Sequence, residues 1–224
     1  VAGKWGPGGV GARAFLQVVR GIHIAAPRDA ARLREEFAEA IAINDAPSVV
    51  RFPKGSVGED IVAVRRTVDG VDVLREAPHK DVLLVAIGPF ARMALDVAER
   101  LAQQGIGATV IDPRWVVPVP QSVIELSRDH RLVITMEDGV RVAGIGTRVR
   151  QDLRSAGVDT AVDELGLPDE FIEHATREEI LEQAGLSAAA IARDVIAQVL
   201  GSRIPSARPL DESSQPRTEA KRTK

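Results

Sequence analysis

Hydrophobic positions along this chain alternate between short unbroken runs of strand length and segments with a helical period. "DVLLVAIG" (81–88) is apolar almost throughout, and "PFARMALDVAERLAQQG" (89–105) follows as a helix with Pro89 near its start and Gly105 just past its end. "IGATVIDP" is the next strand. "SVIELSRDH", "RLVITME", "TRVRQDLRSAG", "VDTAVDEL" and "SAAAIARDVIAQVLG" continue the alternation of helix and strand. Unbroken apolar strands alternating with helices predict an α/β domain over 81–201, with a mostly parallel sheet and helices on both faces. Upstream, "ARAFLQVVRGIHIAAP" (12–27) reads as a short helix running into an extended segment, because Pro27 biases Ala26 away from the helical region. Asp29 is placed to cap the helix "AARLREEFAEAIAI", in which Leu33, Phe37 and Ile41 fall on one face, and "NDAP" stops it. "SVVRF" then makes residues 22–52 a strand–helix–strand unit of the parallel kind. The segment 57–80 reads as a linker carrying a small hairpin about "DG", and 202–224, rich in Pro, Ser and mixed charge, as a disordered tail.

Composition narrows the classes of function. A formal net charge of −3 gives no field that would gather nucleic acid. The absence of cysteine removes thiol catalysis, disulfides and thiolate metal sites together. No apolar stretch approaches the roughly 20 residues that cross a bilayer, and the N-terminus lacks a signal-peptide pattern, so a cytoplasmic protein with no membrane partner is expected. The chain opens on Val1 in what reads as the middle of something, which suggests a fragment or a truncated gene product.

Candidate chemistry is sparse. "GPGGVG" places Gly6, Gly8 and Gly11 in a G-x-G-x-x-G pattern with Asp29 downstream, which would suit a nucleotide-binding oxidoreductase. The preceding "VAGKW" is too short and polar to be the buried strand that such a motif requires, so a flexible glycine-rich start is the better reading. A second cluster, "GVRVAGIGTRV" (139–149), runs into a helix; Gly144 and Gly146 there either present amides to an anion or merely permit close packing, and packing is favoured. Glu137 and Asp138 lie toward the C-terminal edge of a strand, where open α/β sheets collect ligands or interfaces. His23, His79, His130 and His174 show no metal-ligand spacing, and Ser56, Ser122, Ser127 and Ser187 lie in no nucleophile elbow. "SVVRFPKGSVGED" (48–60) ends an apolar run on Arg51, Pro53 and Lys54. Pro53 stiffens the approach and Gly55 lets the backbone turn, so an ammonium group stands at a strand end.

Five stretches in order, "IAAPRDAARLREEF", "NDAPSVVRFPKG", "DPRWVVPVP", "VITMEDGVRVAGIGTRV" and "GLPDEFIEHATREEILEQAGLSAAAIARDV", closely resemble the C-terminal part of the 1-deoxy-D-xylulose-5-phosphate synthase family, in its actinobacterial form. The resemblance spans about residues 17–200. It implies the end of a transketolase-like pyrimidine-binding domain (1–56), the linker (57–80) and a transketolase C-terminal domain (81–201). The family depends on thiamine diphosphate and magnesium and condenses pyruvate with glyceraldehyde 3-phosphate toward isoprenoid precursors. Its "RFPKG"-type motif binds the aldehyde's phosphate, which assigns that role here to Lys54, with Arg51 as neighbour. The family's cofactor motifs and catalytic glutamate lie upstream of anything present, so no catalytic, cofactor-binding or metal residue carries over. Pro7 stands near the position of a substrate-contacting histidine and Ala12 near an acidic one. The resemblance therefore implies a partial synthase, inactive by itself, that pairs as a homodimer or with a missing N-terminal portion. The alternative is a non-catalytic dimerisation or assembly module, with Trp115 in "DPRWVVPVP" offering a contact edge.

Overall fold

In the computed structural model the described residues are 16–53, 58–169 and 176–201. The strand β5 (Val82–Ala86) is buried at every position, so it has no solvent face and must be sandwiched. It pairs in parallel with β6 (Ala108–Asp112) on one side and β8 (Leu132–Val140) on the other, and β8 pairs in parallel with β9 (Ala161–Leu167). Alternation along β5 divides the core in two. Val82, Leu84 and Ala86 join the cluster holding α2 (Ala91–Ala102) and α6 (Ala188–Val199). Leu83 and Val85 face the cluster holding α3 (Gln121–Asp129) and α4 (Ile145–Ser155). The expected parallel sheet with helices on both faces is what forms.

The segment expected to be a linker contributes to that sheet. β3 (Arg65–Arg66) and β4 (Asp72–Arg75) form the hairpin about Asp69–Gly70, and β4 pairs antiparallel with β6, giving the order β3-β4-β6-β5-β8-β9. Val71, Val73 and Leu74 are buried, so the strand is held by apolar contact as well as by its ladder. Its weak signal in the sequence reflects length, since only four residues carry it.

Upstream, β1 (His23–Ala25), α1 (Ala30–Ala42) and β2 (Ser48–Val50) make the expected parallel unit, with the Asp29 side chain accepting the Arg32 amide as the helix cap. The connection that the sequence does not suggest is β7 (Trp115–Val117). It follows β6 after a turn at Arg114 (φ 61°) and pairs antiparallel with β1, so a segment from the middle of the large sheet's sequence completes the small sheet β2-β1-β7. A further helix, α5 (Arg177–Gln183), starts on a capping box in which Thr176 and Glu179 each satisfy the other's backbone. That T-x-x-E signal stands in the sequence in plain form. The glycine-rich stretch holding Gly6, Gly8 and Gly11, together with Pro7, Ala12, Ser56, His174 and the expected tail, lies outside the described residues.

Candidate functional site

β2 ends at Val50, and the Arg51 amide still donates to the Ala25 carbonyl, so the ladder with β1 fixes the backbone from which Arg51 projects. Its guanidinium donates through Nη1 to Asp138 Oδ1 at 2.7 Å and through Nη2 to the Asp138 carbonyl at 3.5 Å. The Asp138 side chain is wholly buried and that of Arg51 is 19% exposed. A cation from the small sheet thus closes on a carboxylate of the large one across 87 residues of sequence. In the sequence Asp138 stands only as an acid near a strand end; its basic partner becomes apparent once the fold brings Arg51, just past β2, to β8. Lys54 lies outside the described residues.

One residue before Asp138, Glu137 points its carboxylate at the N-terminus of α4. Its Oε1 accepts the Gly146 amide at 3.0 Å, so the anion at this helix start is the chain's own carboxylate. A methyl group on Gly144 would meet Glu137 Oε1 and come within 2.6 Å of the Val140 carbonyl, and one on Gly146 would meet Thr135 Oγ1. The second glycine cluster therefore serves close packing, as favoured from sequence.

A denser array of charge lies under α1. Arg28, its side chain 2% exposed, bonds Asp72 at 2.7 Å and Asp112 at 2.6 Å, sits 3.1 Å from Asp29, and donates to the Ile61 carbonyl. Arg66 bonds both Asp72 and Glu35, while Arg114 bonds Glu39 at 2.5 Å. Burial pushes the Asp112 carboxyl up to about 6 against the pull of Arg28. Burial also acts on Asp72, but hydrogen bonds from Arg66 and Arg28 outweigh it and hold that carboxyl below its ordinary range. Glu36 is wholly buried, and neither of its oxygens has a hydrogen-bond partner among the described residues. Burial first, then the Asp112 charge, pushes Glu36 up to about 9. Asp29 is fully used in this array: Oδ1 takes the Arg32 amide and Oδ2 the Ile61 amide, which leaves no carboxylate for a nucleotide ribose. A depression of about 380 Å³ opens beside the array, lined by Arg32, Arg65 and Arg66 among others, with their charges already met by neighbouring acids.

The remaining polar candidates have structural partners. His130 is buried, donates from Nδ1 to the Leu126 carbonyl at 2.7 Å, and is pushed below its ordinary value by burial, so it is a neutral core histidine. Ser127 Oγ bonds the Val123 carbonyl, Ser122 bonds Asp69, and Ser187 caps α6. His23 meets the Trp115 ring edge-on at 6.1 Å, and Trp115 Nε1 donates to Glu39 Oε2 at 2.6 Å, so the indole ties β7 to α1 within the chain. Among the described residues no group of three or more His, Cys, Asp or Glu side chains could hold a metal ion. No helix among them is long and apolar enough to cross a membrane.

Most of the larger sheet, from β4 through β9, falls within one family match. Residues 70–191 fit the model for the transketolase C-terminal domain, and the chain belongs to that family. Among full sequences it is 67% identical to the 1-deoxy-D-xylulose-5-phosphate synthase of Leifsonia xyli subsp. xyli over 99% of its own length and 35% of the relative's. To the synthase of Clavibacter sepedonicus it is 65% identical, over 96% of this chain and 33% of that one. The chain thus spans about a third of the length of these relatives and corresponds to the C-terminal portion of the actinobacterial synthases. Among solved structures, a split-gene transketolase described as an inactive β4 tetramer superimposes with a TM-score of 0.72 at 25% identity, covering 87% of this chain and 63% of that one. A transketolase from Pichia stipitis shares the fold with a TM-score of 0.68 over 85% of this chain and 27% of its own.

Proposed function

We propose that the chain works as the C-terminal part of a cytoplasmic, homodimeric 1-deoxy-D-xylulose-5-phosphate synthase, which joins pyruvate to glyceraldehyde 3-phosphate with loss of carbon dioxide. The 67% identity to the Leifsonia synthase over 99% of the chain is the observation that carries this reading. In it, Lys54 and Arg51 receive the aldehyde's phosphate. Arg51 commits Nη1 to the Asp138 carboxylate and Nη2 to the Asp138 carbonyl, which orients the guanidinium and leaves its remaining N–H groups to face an anion. Lys54, three residues on, offers a point charge on a flexible stem. In the complete family enzyme thiamine diphosphate supplies the nucleophilic carbon and the electron sink for the decarboxylation. The cofactor and its magnesium belong to the upstream part of the synthase, so the present chain makes no product by itself.

The test is an assay of deoxyxylulose phosphate formation by this chain alone and after mixing with the upstream two thirds of the Leifsonia relative, expressed as a separate polypeptide. No product is expected from the chain alone, and activity is expected from the mixture. In the mixture Lys54→Ala should raise KM for glyceraldehyde 3-phosphate by about tenfold or more and leave KM for pyruvate unchanged. Product from the chain alone, or an unmoved KM in the variant, overturns the proposal. The split-gene transketolase chain favours a second reading, a non-catalytic assembly module: a stable oligomer of this chain, with no activity restored by the upstream part, would support that reading instead.

A further inference from the structure

The end of β8 departs from regular strand geometry where Asp138 stands. Met136 lies opposite Leu165 and Val140 opposite Leu167, so residues 137–139 of β8 bulge against the single residue Gly166 of β9. Gly166 admits that bulge, since a methyl group on it would lie 2.9 Å from the Gly139 carbonyl oxygen. The bulge and the turn after it are pinned from three sides. The Glu137 carboxylate takes the Gly146 amide, Gln17 Nε2 donates to the Ala143 carbonyl at 3.0 Å, and Arg51 closes on Asp138. Ala143 is held at φ 55°, a left-handed conformation that costs a residue with a side chain about 1 kcal/mol. A disrupted ladder, a strained alanine and a wholly buried carboxylate all oppose folding, and together they hold one guanidinium at the end of β2.

Asp138 engages the end of that guanidinium. Nη1 reaches its carboxylate and Nη2 its carbonyl, which leaves the long side of the group, with Nε–H and the second Nη2–H, as a fork that fits two oxygens of one phosphate. An unanchored arginine turns its fork freely about the side-chain torsions. Bonded at one end to a buried acid of another sheet, it keeps one plane, and a planar donor held in place loses less freedom when an anion arrives. We infer that Asp138, which lies within the transketolase C-terminal match, is a positioning residue for substrate: it fixes the plane of Arg51 so that the remaining fork meets the phosphate of the aldehyde. This rests on the function proposed above.

The first experiment measures binding, with glycerol 3-phosphate as a stable phosphate ester and glycerol as its uncharged counterpart. In the isotope-labelled full chain, glycerol 3-phosphate should move the Arg51 Nε–H resonance and glycerol should not. Asp138→Asn should bind at least about tenfold more weakly, and Asp138→Glu, which keeps the charge, should recover part of the loss. Should the change at the buried acid prevent folding, Arg51→Lys, made from the solvent side, gives the same comparison, since it keeps a cation and removes the fork. The second experiment uses the mixture with the upstream two thirds of the Leifsonia relative. There Asp138→Asn should raise KM for glyceraldehyde 3-phosphate about tenfold and leave KM for pyruvate and for unphosphorylated glyceraldehyde unchanged. No response of Arg51 to glycerol 3-phosphate, equal affinity in parent and variants, or an equal rise in KM for both aldehydes overturns the inference. Phosphate binding that depends on Asp138, with no product from the mixture, would leave the inference standing while the functional proposal fails.

Discussion

Glu36 shows how one side chain can oppose the stability of the unit around it. With a carboxyl near 9 in the folded chain against an ordinary value of 4.5, it is held protonated at neutral pH, and ordering it there costs free energy. Because the folded-state value lies above the unfolded one, its contribution is fully present below pH 4.5 and is lost as pH rises through about 9. Glu36→Gln keeps the neutral shape and cannot ionise. The variant should therefore match the parent at pH 4 and exceed it by roughly 4 kcal/mol at pH 8 in urea denaturation. An advantage that is the same at both pH values would show that Glu36 is not held neutral. Asp72 has the opposite sign, since its lowered carboxyl contributes above its ordinary value and is lost in acid. None of this could be read from "LREEFAEA", where Glu35, Glu36 and Glu39 look like an ordinary solvated face. The two arginines that reverse it, Arg66 and Arg114, come from other parts of the chain.

At the scale of elements, the turn from β8 into α4 is the most constrained piece of backbone near the candidate site. Gly144 caps α4, and the space a methyl would need is occupied by the Val140 carbonyl and the Glu137 carboxylate. Gly144→Ala should cost about 1–3 kcal/mol by overpacking and weaken the Glu137–Gly146 contact, with a lowered thermal midpoint as the readout. A neutral result would mean that the turn has slack the geometry does not show. Element identity was largely legible from pattern: the strand–helix alternation from 81 to 199, the Asp29 cap and the "DG" hairpin all follow from short-range rules. β7 escaped because three residues between prolines carry no period, and its strand character arises only from pairing with β1.

For the molecule as a whole, the ion array under α1 is the junction between the small sheet and the large one. Arg28 precedes α1, while Asp72 and Asp112 belong to β4 and β6, so one guanidinium spans both. Arg28→Met would leave three carboxylates without their shared cation. We expect a loss of about 3–5 kcal/mol in denaturant at pH 7, smaller at pH 4 where the acids can protonate. A loss below about 1 kcal/mol would argue that apolar contacts alone join the sheets. Arg51–Asp138 is a second tie of the same kind, and it sets the backbone from which the Lys54 segment departs.

Local pattern by itself determined the α/β class, most helices and strands, the absence of thiol chemistry and, through five stretches in order, the likeness to the synthases. The class and its elements follow from periodicity and capping and the missing thiols from composition, all of which act over a few residues, while the likeness rests on the five stretches themselves. Only the tertiary structure decided that Arg51 is held by Asp138, that Asp29 is consumed in a cap and that the acidic face of α1 is the buried one. Each of those depends on a partner tens of residues away in sequence, and burial or charge pairing exists only once the chain has brought the two together.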